Sequence, residues 1–120
     1  MANPNIVNVT SIYGDTLTHY ASTTEGVFIS NSAQSGSIIK VNTIFAANIN
    51  GSSAADVTVK IGTASGAYVP IMSTISVPAD STLVVVDKNT SLYLPEGWDM
   101  TVQASASDAI RLVVSYEEIS

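Results

Sequence analysis

A single histidine, His19, lies between Thr18 and Tyr20, and any general-base or Ser-His-Asp chemistry in this chain would have to use it. An imidazole acts as a base only where a nucleophile lies within hydrogen-bond reach and a carboxylate orients the ring. No Gly-x-Ser-x-Gly turn supplies that context, so His19 reads as an ordinary surface or turn residue. A glycosidase needs two carboxylates across a cleft, and of the ten here Glu96 with Asp99 is the pair considered, but they sit beside Pro95 and Gly97, where acidic residues set turns. Loops carrying Asp and Asn offer oxygen ligands to calcium, yet the alternating Asp array with a terminal Glu is missing. Gly62-Thr63-Ala64-Ser65-Gly66 lacks the Lys-Ser/Thr of a phosphate loop and reads as a hairpin turn. With no cysteine, thiolate zinc sites, disulfides and cysteine nucleophiles are excluded. The expectation is a protein without catalytic residues, metal or cofactor.

Composition points toward contact rather than chemistry. Only 12% of the residues are charged, about half the usual share. Ser, Thr and Asn fill the difference, and a surface with few Lys, Glu and Asp is cheap to desolvate against another protein. The net charge is −6, and the four basic residues, Lys40, Lys60, Lys88 and Arg111, are far apart in sequence. Without a basic stripe to release counterions, neither nucleic acid nor an anionic membrane is expected as a partner. The first ten residues contain no Lys or Arg and no long apolar run, so they predict neither signal peptide nor membrane anchor, and synthesis in the cytosol. The aromatic residues do not cluster with basic ones, so no base-stacking surface is expected, and Trp98 is assigned to the core, with an exposed interface anchor as the alternative.

The elements that would position these residues show a period of two. Positions 39, 41, 43, 45, 47 and 49 form one mostly apolar row, which predicts a long half-buried strand. Val57, Val59 and Ile61 alternate with Thr58 and Lys60, and Asn50-Gly51-Ser52-Ser53 between the two segments predicts a hairpin. Ile71 to Val77 is a third alternating strand, closed by Pro78. Leu83 to Val86 is apolar on both faces, which predicts a central strand. Short strands follow at Leu92-Tyr93-Leu94 and from Trp98 to Ala104, and Ile110, Leu112, Val114 and Tyr116 share one face of the last. Val27-Phe28-Ile29 is a short strand, whereas Tyr13-Gly14-Asp15-Thr16 reads as a turn. No segment has helical spacing, so any helix is limited to one turn. Residues 1–120 therefore predict one all-β domain, an antiparallel β-sandwich of jelly-roll type, with an Ig-like sandwich as the rival.

The run Val77-Pro78-Ala79-Asp80-Ser81-Thr82-Leu83-Val84-Val85-Val86-Asp87-Lys88 is followed by Leu92-Tyr93-Leu94-Pro95-Glu96-Gly97-Trp98-Asp99-Met100. The chain closes on Val113-Val114-Ser115-Tyr116-Glu117-Glu118-Ile119-Ser120. These segments, roughly the last third to half of the chain, resemble small virion structural proteins of tailed bacteriophages, including phages of marine bacteria and cyanobacteria. The chain departs from that pattern at Trp98-Asp99, where a small or acidic residue is more typical. The resemblance implies a non-enzymatic β-sandwich on a phage particle, made in the host cytoplasm. Its role there would be capsid decoration (cement), with several copies, as trimers, bracing capsid subunits. A neck, tail or fibre component is the alternative, including a carbohydrate-binding module at a fibre tip that uses Trp98 with Asp99, or Tyr68. Residues 1–13 are either the first strand or an extended arm that adds to a neighbouring sheet. The candidate interface residues are Ile6, Val7, Val9, Ile12, Tyr13 and Trp98.

Overall fold

Val, Ile and Thr alternate with other residues in several segments, among them 57–63 and 69–77, and β-branched side chains are stiff at χ1 and pack well on a pleated surface. The computed structural model, which describes residues 10–63 and 66–120, is accordingly built of strands. They are β1 (Ile12–Tyr20), β2 (Gly26–Ser30), β3 (Ile38–Asn48), β4 (Ala55–Thr63), β5 (Tyr68–Val77), β6 (Thr82–Val86), β7 (Leu92–Leu94), β8 (Trp98–Ala104) and β9 (Ile110–Ile119). One 3-10 turn, Lys88–Thr90, is capped by Asp87, whose carboxylate accepts from the Asn89 and Thr90 amides.

One sheet has the order β1-β9-β3-β6, with β7 also pairing β3; the other has the order β2-β8-β4-β5. All pairings are antiparallel. The pairs β1–β9, β2–β8, β3–β6/β7 and β4–β5 are those of a chain doubled back on itself at the β4–β5 turn. Rolling up that ribbon adds the β9–β3 and β8–β4 contacts. This is the jelly-roll arrangement, and the two sheets close on a core that includes Val41, Ile44, Val57, Val59, Leu94, Met100, Ile110 and Leu112.

Several local expectations are corrected. Asn50 to Ser53 is no hairpin: β3 and β4 lie in different sheets, and the turn is an arch in which Asn50 Oδ1 accepts from the Ser52 and Ser53 amides. Strands β3 and β4 each have one buried apolar row, and stacking these faces buries more apolar surface than edge pairing can. The true hairpin is β4–β5, paired from Ala55–Val77 to Gly62–Tyr68, and the turn expected at Gly62 to Gly66 lies partly outside the described residues. Tyr13 to Thr16 lie within β1, in unbroken register with β9. In β3 the buried row is Ile39 and Val41, then Ile44, Ala46 and Asn48. A bulge at Asn42, where the register with β9 steps from Val41–Tyr116 to Thr43–Ser115, moves the row by one residue and turns Phe45 outward. Strand β6 ends its sheet rather than running through the centre.

Two buried asparagines tie loops to this frame. Asn31 Nδ2 donates to the Ser37 and Leu94 carbonyls, and its Oδ1 accepts from Ser35 Oγ. Its backbone accepts from the Gly97 amide and donates to the Trp98 carbonyl, holding the Pro95–Trp98 turn, whose third residue Gly97 has φ +79°. Asn48 Nδ2 donates to the Ser53 and Val77 carbonyls, and its Oδ1 accepts from the Asn50 amide. An asparagine at either place satisfies backbone groups that burial would otherwise leave unpaired.

Candidate interaction surface

Cross-strand register determines which side chains share the outside of the larger sheet. Thr18 is opposite Val113, Val113 opposite Phe45, and Phe45 opposite Val84, so one row crosses β1, β9, β3 and β6. Its apolar members are exposed by 37% (Phe45), 39% (Val113) and 50% (Val84). The adjacent row is Tyr20, Arg111, Ala47 and Thr82. The Arg111 guanidinium stacks 3.7 Å from the centroid of the exposed Tyr20 ring, which covers the cation with an aromatic face. The outer face of a sandwich sheet is ordinarily its polar side, so a contiguous apolar row there marks a surface suited to contact.

The same bookkeeping separates residues that are neighbours in sequence. Trp98 is 36% exposed at the start of β8, so its assignment to the core is corrected. It begins the row that continues into buried Met100, Val102 and Ala104, but lies at the end of the strand, beyond the close-packed centre. Asp99 points to the opposite face, as adjacent strand residues must, so the two cannot flank one sugar. The structure instead brings Asp99 to Tyr68, whose hydroxyl donates to Asp99 Oδ2 at 3.3 Å. Desolvation raises the Tyr68 pKa, and the Asp99 charge and hydrogen bond add to the shift. Gly62 lies between them in the register, opposite both. A Cβ on Gly62 would come within 2.6 Å of the Ala67 carbonyl oxygen and 2.9 Å of Tyr68 Cα. Gly62→Ala is therefore expected to lower stability by about 1–3 kcal/mol, read as a reduced denaturant midpoint at unchanged m-value.

The other sequence candidates are dispersed. Ile6, Val7 and Val9 lie outside the described residues, whereas Ile12 and Tyr13 are exposed members of β1, the first strand of the domain's own sheet. His19 packs across the sandwich side onto the bulge residue Phe28, at a ring separation of 6.1 Å. Glu96 is in the Pro95–Trp98 turn. Tyr116 donates to Asp15 Oδ2 at 3.3 Å and has a raised pKa, from desolvation first and the Asp15 charge second. Among the described residues, no group of three or more His, Asp or Glu is placed to hold a metal ion. Sequence reasoning missed Tyr20, Phe45, Val84 and Val113. The available signal was the run Leu83 to Val86, whose second apolar face was assigned to burial in a central strand.

No protein-family model and no curated protein matches the chain. Among solved structures, it is similar to one described as "Bacillus endospore appendages form a novel family of disulfide-linked pili". The identity is 13%, the TM-score is 0.46, and the match covers 91% of this chain and 87% of the other.

Proposed function

We propose that this chain is a non-enzymatic structural subunit of a tailed-phage virion, a capsid decoration protein that stabilises the head by protein–protein contact. The supporting observation is the exposed apolar row Val113–Phe45–Val84, extended by Tyr20 stacked on Arg111. Burying such side chains against a capsid subunit releases about 25 cal/mol per Å² of apolar surface, and few charges nearby need to be desolvated. Each contact is modest, but repetition over many copies sums to a substantial bracing of the shell. The resemblance of the C-terminal half to phage virion proteins supports the same role.

Copy number per purified particle tests the assignment: decoration predicts on the order of hundreds, whereas about a dozen or fewer would place the chain in the neck, tail or fibres instead. Val113→Lys combined with Val84→Lys is expected to reduce binding to heads lacking the chain by about tenfold or more. The melting temperature should stay within a few degrees, because both side chains point away from the core. Undiminished binding by a folded double variant would remove this face from the proposal.

A further inference from the structure

A sandwich of two open sheets has four edges, and three of them here carry features that discourage pairing. Strand β2 is 5 residues long and is bulged at Phe28. Strand β6 is also 5 residues long, with its register stepping past Val85. Strand β5 contains Pro70, two register shifts and a positive φ at Thr74. Among the described residues, strand β1 is different. It runs 9 residues in unbroken register with β9, has no proline or lysine, and carries Asp15 as its one charged residue.

The hydrogen-bonding phase of that edge follows from the ladder ends. Ser11 and Ser120 exchange two backbone bonds at 2.9 Å, and the Ala21 amide donates to the Ile110 carbonyl. Antiparallel pairing alternates, so odd-numbered residues of β1 aim their amide and carbonyl at β9, and Ile12, Gly14, Thr16, Thr18 and Tyr20 aim theirs outward. The Thr16 amide agrees, because it donates to the Asp15 side chain at 2.7 Å rather than to β9.

We propose that β1 is a self-recognition edge: two copies pair antiparallel along it, about a two-fold axis at Thr16, joining their β1-β9-β3-β6 sheets into one continuous sheet. Thr16 then faces its own counterpart, its amide exchanging the Asp15 carboxylate for the Thr16 carbonyl of the second copy, while Gly14 faces Thr18 and Ile12 faces Tyr20, so the outward groups are matched once the Asp15 side chain turns aside. On the outer face this covers Ile12 with Tyr20, an aromatic–β-branched pair, and on the inner face Tyr13, the most exposed of the three at 69%, lies opposite His19. Moving the axis to Asp15 sets two carboxylates against each other. Moving it to Leu17 carries Ile12 and Tyr13 past the end of the partner strand. A two-fold closes on itself, so the product is a dimer rather than the trimer expected from the resemblance. The outer apolar rows of the two copies become parts of one surface, although the pairing stands independently of any role on a particle.

Sedimentation equilibrium of the full chain at moderate salt, which screens the repulsion between two acidic copies, tests this directly. A concentration-dependent monomer–dimer equilibrium is expected, and Thr16→Pro, which removes an outward donor without touching the β9 ladder, should weaken it by about tenfold or more. Amide exchange of the wild-type chain supplies the second measurement, independent of whether the proline variant folds. The Gly14, Thr18 and Tyr20 amides should gain protection as concentration rises, while those of Tyr13 and Leu17 are protected throughout. A monomer up to about 1 mM, a trimer, a Thr16→Pro variant that dimerises like wild type, or concentration-independent exchange at Thr18 would each overturn the proposal.

Discussion

Replacing Asn48 by alanine is expected to lower unfolding stability by about 3 kcal/mol, a fall of about 10 °C in melting temperature for a chain of this size. The side chain is buried and serves three backbone groups: the Ser53 and Val77 carbonyls and the Asn50 amide. Alanine leaves those groups without partners, and each buried orphan costs about 1–3 kcal/mol, much more than the net worth of the bond itself. The bonds join the end of β3 to the arch and to the end of β5, so their loss loosens the point at which one sheet hands the chain to the other. Asn31→Ala should behave alike at the opposite loop, where Ser37 and Leu94 lose their donor. The exposed Asn89, whose side chain sits on the 3-10 turn, is the control, with Asn89→Ala expected within about 0.5 kcal/mol of wild type. Urea unfolding followed by tryptophan fluorescence separates these outcomes, and equal midpoints for Asn48→Ala and Asn89→Ala would contradict the assigned roles.

Ile44→Ala and Phe45→Ala should differ sharply, and in the order opposite to that expected from strict alternation. Ile44 is fully buried, so its truncation should cost about 2–5 kcal/mol through lost transfer energy and a residual cavity. Phe45 is on the outer face, and its removal should cost about 1 kcal/mol or less, although it is the larger side chain. The bulge at Asn42 is the cause. Upstream of it the core row is odd-numbered, and downstream it is even-numbered. If Phe45→Ala proved the more destabilising of the two, the inward row of β3 would have to be redrawn.

The same strand shows what was legible before the structure. The run from Ile39 to Ile49 announced a strand by its period, and the announcement was right, but period two is blind to one inserted residue. A bulge requires no special residue type here: Asn42 is an ordinary polar residue whose side chain donates to Glu117 of the neighbouring strand. The hairpin expected at Asn50 to Ser53 failed for a related reason. Turn chemistry reports that the chain bends, and an arch between sheets uses the same Asn and Gly residues as a tight hairpin. Leu83 to Val86 misled in a useful way. Apolar residues on both faces were assigned to a central strand, whereas β6 is an edge and Val84 is half exposed, which makes the run a mark of the contact face. Of the named candidates, Ile12 and Tyr13 fall on β1, the edge that is long and unbroken among the described residues, and Trp98 is exposed but separated from Asp99 by the strand's own alternation.

Residue types alone determined that this protein is a β-sandwich built from short antiparallel strands, because β-branched residues at period two, broken by Gly, Pro and Asn, leave the backbone few other ways to bury its apolar side chains. They also determined an exterior with few charges. Only the tertiary structure decided which apolar residues face outward, which strands end their sheets, and which amides of β1 point away from β9. Those properties depend on register between segments far apart in the chain, where a shift of one residue exchanges inside for outside at little local cost.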